Sequence, residues 1–347
     1  MLIVIYDQPY TMVMEDKKDD GFKELLAKAS LLSEQGYGAE QMGKLEEAER
    51  LHIESLIIRR DIGDKEGEAA SLNDLGIIAN IRGDSTEAER LYTESLSIEI
   101  EIGNREGEAV SLNNLGNIAM HSGEFFKAGK LLMEGLVIRK DIEDLKGQGE
   151  SLHNLAMNAS SYGDINEAER LHTESLAIKK EVGDKKGVAN SLNCLGVVAH
   201  QGRDFDKAEC LFHKGLVIRR NIDDRVGEGE SLHNLGNLFI SRGNLVEAKR
   251  IHNDSLIIYR EINYPSGISS ALFNLGIIAK KNGEIDEAER QFLDCLTIAR
   301  EIENRDLMAR SLDNLGDIAG MRGDSAEAEL IFIESAEIRR EIDSEEI

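Results

Sequence analysis

Apolar residues in this chain return at three- and four-residue steps, and the steps themselves return every forty residues. In "GEAASLNDLGIIANIR", residues 67–82, Leu72, Leu75, Gly76 and Ala79 fall on one face of a helix, the spacing that marks an element half buried against a neighbour. "RGDS" then breaks the pattern. Ala88, Leu91, Tyr92, Ser95, Leu96, Ile98 and Ile102 mark a second amphipathic helix that stops at Gly103, a residue suited to a left-handed helix terminus. The same sentence is rewritten along the chain as "SLNDLG" at 71, "SLNNLG" at 111, "SLHNLA" at 151, "SLNCLG" at 191, "SLHNLG" at 231, "ALFNLG" at 271 and "SLDNLG" at 311, with a decayed copy, "LLSEQG", at 31. A fixed period of this size signals stacked helix hairpins, each too small to bury its own apolar face. The pattern predicts an all-α protein of about eight helix-turn-helix hairpins over residues 22–342, with a disordered tail over 1–21 and a short tail over 343–347. Gly83, Gly123, Gly163, Gly243, Gly283 and Gly323 fall in the turn inside each hairpin, mostly followed by an Asp, Glu or Asn able to cap the next helix.

Leu72, Leu75 and Gly76 in the first helix, with Ala88, Tyr92 and Ser95 in the second, stand where tetratricopeptide repeats keep their large and small packing residues. The chain resembles that family over nearly its whole length. Its forty-residue period, with joints such as "IGDKEGEA" at 62–69, is similar to the long variety found in kinesin light chains, spindle-orientation adaptors and many prokaryotic sensor proteins. The resemblance implies a right-handed superhelical α-solenoid with the first helices lining a concave wall. Gln35, Ala156 and the joint "NYPSG" at 263–267 depart from the family pattern.

With Leu72 pointing to the core, a 100° step per residue turns Asp74 and Ile77 to the opposite face and leaves Asn73 on the flank. The Asp74 position recurs as Asn114, Asn154, Cys194, Asn234, Asn274 and Asn314, a row of amides with one member per repeat. The Asn73 position recurs as Asn113, His153, Asn193, His233, Phe273 and Asp313, and the Ile77 position supplies Asn117 and Asn237. Asparagine is a poor helix former, so its recurrence at mid-helix asks for a reason. An amide both donates and accepts, and a regular row of them can pair with the main chain of an extended peptide whatever its side chains. The row resembles the groove asparagines with which kinesin light chains and spindle adaptors hold peptide backbones. The alternative is that each amide bonds to the neighbouring helix and sets the repeat spacing. The candidate binding residues are Asn73, Asp74, Asn113, Asn114, Asn117, His153, Asn154, Asn193, His233, Asn234, Asn237, Asn274 and Asn314.

Composition narrows the partner. The formal net charge of −25 repels phosphate backbones and anionic lipid, which argues against nucleic-acid and membrane-surface binding. The apolar start "MLIVIY" lacks a basic flank and is too short for a signal peptide or a membrane span, and the three cysteines make no metal or disulfide spacing, so a cytoplasmic protein is expected. His153, Cys194 and His233 share the candidate wall, but neighbouring helices stand about 10 Å apart and zinc ligands lie within about 2.3 Å of the metal, so no metal and no cofactor is expected. His52, His172 and His252 sit at an aromatic packing position and are read as structural. The basic pairs Arg59-Arg60, Arg139-Lys140, Lys179-Lys180, Arg219-Arg220 and Arg339-Arg340 would suit a surface ridge, although nearby acids weaken it. Arg50, Arg90, Arg170, Arg250 and Arg290, each with an acid four residues on, read as a solvated face.

Almost every polar residue is explained by its repeat position, and no nucleophile or acid–base set stands outside it. The sequence therefore indicates a non-catalytic scaffold or adaptor that holds a peptide or helical partner. The alternatives are a structural self-assembling module, joined through the last hairpin where Ala336, Leu330 and Ile333 break the pattern, and a detached sensor arm of a signalling ATPase system.

Overall fold

The computed structural model describes the backbone of residues 9–345 and the side chains of residues 21–342. The tails expected at the two ends fall largely outside those side chains, and residues 1–8 lie outside the described residues altogether. Sixteen α-helices and no strand are present among the described residues. They are α1 (Pro9–Gln41), α2 (Leu45–Ile62), α3 (Lys65–Ile81), α4 (Ser85–Ile102), α5 (Arg105–His121), α6 (Phe125–Asp141), α7 (Leu145–Tyr162), α8 (Ile165–Glu181), α9 (Lys185–Gln201), α10 (Phe205–Asn221), α11 (Arg225–Ser241), α12 (Leu245–Glu261), α13 (Pro265–Lys281), α14 (Ile285–Glu301), α15 (Arg305–Arg322) and α16 (Ser325–Glu345). From α2 onward, the starts of alternate helices repeat every forty residues. The helices divide into two compact units, residues 1–162 and 163–347. Within each unit every helix packs on its chain neighbours, and first helices of adjacent hairpins also touch: α3 with α5 and α5 with α7 in the first unit, α9 with α11 and α11 with α13 in the second. No described helix is long and apolar enough to cross a membrane.

The predicted packing faces are the buried ones. Leu72, Leu75, Ala69 and Leu56 form one layer of the first unit with Leu91 and Ile98, and Ala79 packs against it. In the second unit Leu272, Leu275, Phe292, Leu296 and Leu312 do the same in a larger cluster. A glycine on most first helices admits a large ring of the partner helix, whereas Gly116 meets Leu132 and α7 carries Ala156 at that position. A Cβ added to Gly196 would lie 2.5 Å from the Phe212 ring, and one on Gly276 2.8 Å from Phe292. Buried serines tie the two helices and the next hairpin together, as where Ser95 donates to Ala69 O at 2.9 Å and meets Ser111 Oγ at 3.2 Å.

The turns obey the repeat with instructive exceptions. Asp84, Asp164, Asp204 and Asn244 cap the second helices by accepting the amide three residues on, as Asp84 does from Glu87 at 3.0 Å. Glu124 and Glu284 make no such bond, because an extra methylene carries the carboxylate past the amide. Gly83 and Gly103 take the left-handed conformation, at φ 82° and 71°, but Glu143, Arg203, Asp223, Asn263 and Glu303 take it without being glycine.

The basic pairs do not form a surface ridge. The first members of three pairs are buried in the joints between hairpins, Arg139, Lys179 and Arg219 being 4%, 8% and 2% exposed, whereas Arg339 of the last pair is exposed and bonds to Asp313. Arg219 Nη1 donates to Gly227 O and to Ser231 Oγ (3.1 Å), and Nη2 to Asn190 Oδ1 (2.9 Å), with the Glu230 carboxylate at 3.2 Å. The glycine of the joint leaves room for this side chain, since a Cβ on Gly227 would meet Arg219 Nε at 2.7 Å. The solvated-face pairs form at Arg50–Glu54 (3.1 Å), Arg90–Glu94 (3.1 Å), Arg170–Glu174 (3.2 Å) and Arg250–Asp254 (2.8 Å), whereas Arg290 turns back to Glu287.

Candidate peptide-binding face

The row predicted on the first helices exists as a set of half-buried side chains, and its members bond to one another within each unit. In the first unit Asn114 Nδ2 donates to Asn73 Oδ1 at 2.9 Å and Asn154 Nδ2 to Asn113 Oδ1 at 3.0 Å. In the second, Asn234 Nδ2 donates to Asn193 Oδ1 at 3.1 Å. Each bond joins the row residue of one repeat to the flank residue of the repeat before it. Where that flank residue is not asparagine the partner changes. Asn274 meets His233 Nε2 only at 3.5 Å and donates instead to Asn237 Oδ1 at 2.9 Å, one helical turn further along α11. Asn314 faces Phe273 on the flank; it donates to Arg310 O at 2.9 Å and accepts from Lys280 Nζ at 3.1 Å.

A bond of this kind uses one donor and one acceptor site of a pair that has four donor hydrogens and two carbonyl oxygens. Asn73, Asn113 and Asn193 keep both their N–H groups, and Asn114, Asn154 and Asn234 keep a carbonyl oxygen. The side chains are therefore fixed by the neighbouring helix and still able to pair with something laid across them. Asn117 Oδ1 is buried without a hydrogen-bond partner, an acceptor that the fold itself leaves unused. His153 lies half-buried on α7.

The remaining predicted residues have other surroundings. Asp74 stands 3.4 Å from His52 Nδ1, and His52 Nε2 lies 2.9 Å from Glu40 Oε1. Burial pushes the Asp74 carboxyl up to about 6 despite the opposing charge of Arg59, and burial likewise raises Glu40. The first member of the row thus belongs to a carboxylate–imidazole–carboxylate group rather than to an amide pair. His233 packs edge-on against His252, with ring centroids 5.3 Å apart at 77°. Burial lowers His233 to about 4 and, with the help of His233, His252 to about 3, so both rings are neutral near pH 7. His52 has a partner, as a structural histidine should. His252 is fully buried and neither ring nitrogen is bonded, so the expected satisfaction does not extend to it.

Sequence reasoning missed three contributors to this face. Lys280 reaches both Asn314 and Asp317 Oδ2 (2.6 Å) from a flank position that no other repeat fills with a lysine. Glu230 and Tyr264 join Asn193, His233 and Asn234 around a cavity of about 250 Å³ in the second unit. The signal for Tyr264 was present in the joint "NYPSG", the one joint with no charged residue.

Comparison with known proteins agrees with the repeat frame. A family model described as tetratricopeptide repeat matches residues 28–99, 107–181, 187–261 and 267–341. No curated protein matches the sequence. Among solved structures the fold is similar to a signal transduction ATPase with numerous domains from Pyrococcus horikoshii that carries a tetratricopeptide repeat sensor (14% identity, TM-score 0.64, 89% of this chain and 47% of that one). The chain thus spans about half the length of that protein. It is similar also to a Rap protein complexed with competence and sporulation factor (11% identity, TM-score 0.60, 92% and 99% of the two chains) and to the quorum sensor NprR of B. thuringiensis in its apo form (13%, 0.56, 94% and 99%). Four matched segments, carrying the packing residues through nearly the whole length, place this chain in the tetratricopeptide repeat family.

Proposed function

We propose that the chain is a non-catalytic scaffold or sensor that holds an extended peptide segment of a partner against the asparagine row of its first helices. The observation that carries this reading is the pairing of Asn114 with Asn73, Asn154 with Asn113 and Asn234 with Asn193, which orients each amide beforehand and leaves donors and acceptors unused. Preorganised polar groups lose little freedom on binding, so their hydrogen bonds contribute more of their enthalpy to affinity. The Rap structure in complex with competence and sporulation factor supports a ligand-binding role by analogy of fold. The test is capture from a randomised peptide library by the full chain and by an Asn114→Ala, Asn154→Ala, Asn234→Ala variant of matching helical content. The variant is expected to lose the captured peptides, and retention of the same peptides by both would defeat the reading.

A second reading, self-association through α16, is favoured by Leu330, Phe332 and Ile333, which are 69%, 48% and 41% exposed in the order Leu330, Ile333, Phe332. Phe332 occupies the position at which Phe212 and Phe292 are buried. Sedimentation equilibrium at high concentration decides it: a monomer removes the idea.

A further inference from the structure

The joint between α12 and α13 is built unlike every other. The position that holds Arg59, Arg139, Lys179 or Arg219 in four joints, and Glu99 and Ala299 in two others, is Tyr259, and the capping position that holds Asp64, Asn104, Asp144, Asp184, Asp224 or Asn304 is Tyr264, which makes no side-chain cap. Tyr259 is 3% exposed and lies across Gly267, where a Cβ would come within 2.5 Å of its ring. Tyr264 is exposed and tilted against it, with ring centroids 5.6 Å apart at 48°. An aromatic pair has replaced the cation and the carboxylate of the repeat.

The two tyrosines line the 250 Å³ cavity together with Glu230, Asn193 and Asn234. The charge balance there is not closed. Arg219 is shared between two carboxylates, Glu230 at 3.2 Å and Asp224 at 3.9 Å, and its guanidinium points inward onto Gly227 O, Ser231 and Asn190. One negative charge remains, and the Glu230 side chain is 48% exposed at the cavity. No lysine or arginine lines it, and His233 is neutral. A carboxylate beside phenol faces attracts a cation twice over, by charge-assisted hydrogen bonding and by the ring quadrupole. The asparagine row passes through the same lining residues, so whatever enters the cavity is attached to whatever lies on the row.

We propose that this cavity receives a basic side chain, arginine or lysine, of the peptide segment held along the asparagine row of the second unit. The proposal rests on the peptide-binding reading above and adds to it the chemical class of one ligand residue. The acidic surface of the chain as a whole favours approach of such a segment.

Two probes on the full chain separate the inference from the reading beneath it. The first is N-acetylargininamide, followed by the ring resonances of Tyr264, with N-acetylnorleucinamide as the apolar control. The arginine probe is expected to saturate the Tyr264 shift and bind about tenfold more tightly than the control, with a loss of about tenfold in Glu230→Gln, the size expected for a hydrogen bond to a charged group. Glu230→Gln keeps an acceptor for Arg219. Should its thermal midpoint fall, Tyr264→Leu, which removes no cap, serves instead, followed by the side-chain amide resonances of Asn193 and Asn234, and is expected to weaken binding of the arginine probe about tenfold. Equal binding of the two probes, or arginine binding untouched by the substitution that leaves the fold intact, overturns the proposal. The second probe is a randomised peptide display library. Peptides captured by the wild type are expected to be rich in Arg and Lys, and those captured by Glu230→Gln are not. Captured peptides with no basic preference, or an acidic one, overturn the cavity assignment and leave the peptide-binding reading standing. If the wild type captures no peptide, the peptide-binding reading falls and this proposal falls with it, even if N-acetylargininamide alone saturates Tyr264.

Discussion

Asn114 Nδ2 donates to Asn73 Oδ1 at 2.9 Å, joining α5 to α3 through the two side chains that each helix could least have been expected to carry. The two asparagines together cost roughly 1 kcal/mol of helix propensity and their hydrogen bond returns about 0.5–1.5 kcal/mol, so the pair is close to neutral for stability. A double-mutant cycle with Asn73→Ala and Asn114→Ala, read by urea unfolding, should show a coupling of about 1 kcal/mol. Independent effects would show that the two amides do not act as a link.

His252 gives the second unit a pH dependence with a definite sign. Burial holds its folded-state pKa at about 3, and that of His233 at about 4, both below the ordinary 6.5. Between those values the unfolded chain binds more protons than the folded one, so stability is complete above pH 6.5 and is lost as pH falls toward 4. His252→Phe, which restores the residue type of Phe212 and Phe292, should flatten that loss. Removing two unbonded buried nitrogens should also stabilise the protein at neutral pH by about 1–3 kcal/mol. Thermal melts from pH 7 to 4 measure both effects.

Asp74 in the first unit has the opposite sign. Its carboxyl is raised to about 6 from 3.8, so the folded chain binds more protons in that interval and gains stability as pH falls through it. Asp74→Asn should remove this gain, which amide hydrogen exchange of α3 at pH 6 and 4 would report separately from the second unit.

Two arginines test the difference between joint and surface. Arg219→Met leaves Asp224 and Glu230 without their shared cation and should cost about 3 kcal/mol. Arg300→Ala removes only an exposed contact to Glu334, the two side chains being 51% and 46% exposed, and should cost a few tenths of a kcal/mol. Equal costs in urea unfolding would mean that the buried arginine is not part of the packing.

Arg203 occupies a left-handed turn at φ 63° that seven other hairpins give to glycine, while Gly202 just before it has an ordinary helical φ of −72°. Arg203→Gly should raise stability by about 1 kcal/mol, the cost of a left-handed backbone for a residue with a Cβ. An unchanged thermal midpoint would place the strain elsewhere.

The repeat made the helices, their caps and the position of the asparagine row legible, because the packing phase is written about eight times at a forty-residue interval. It did not reveal which amide bonds to which. That depends on the identity of one flank residue, and His233 or Phe273 in place of asparagine is enough to redirect Asn274 and Asn314. The buried cations were hidden for a different reason. Arginine on an amphipathic helix reads as solvent-facing, and only the glycine eight residues on, at 147 or 227, betrays that room has been left for it. The two tyrosines of the odd joint stood out as a departure, but their meaning required the cavity they enclose.

First helices in contact stand about 8–10 Å apart, and an extended chain advances about 3.3 Å per residue, so one repeat measures close to three ligand residues. The N–H and C=O of one residue of an extended strand point to the same edge and those of the next residue to the other, so a strand laid edge-on against the row would offer every asparagine both a donor and an acceptor. A side chain limited to donating or to accepting would use half of what that edge offers; an amide would use both.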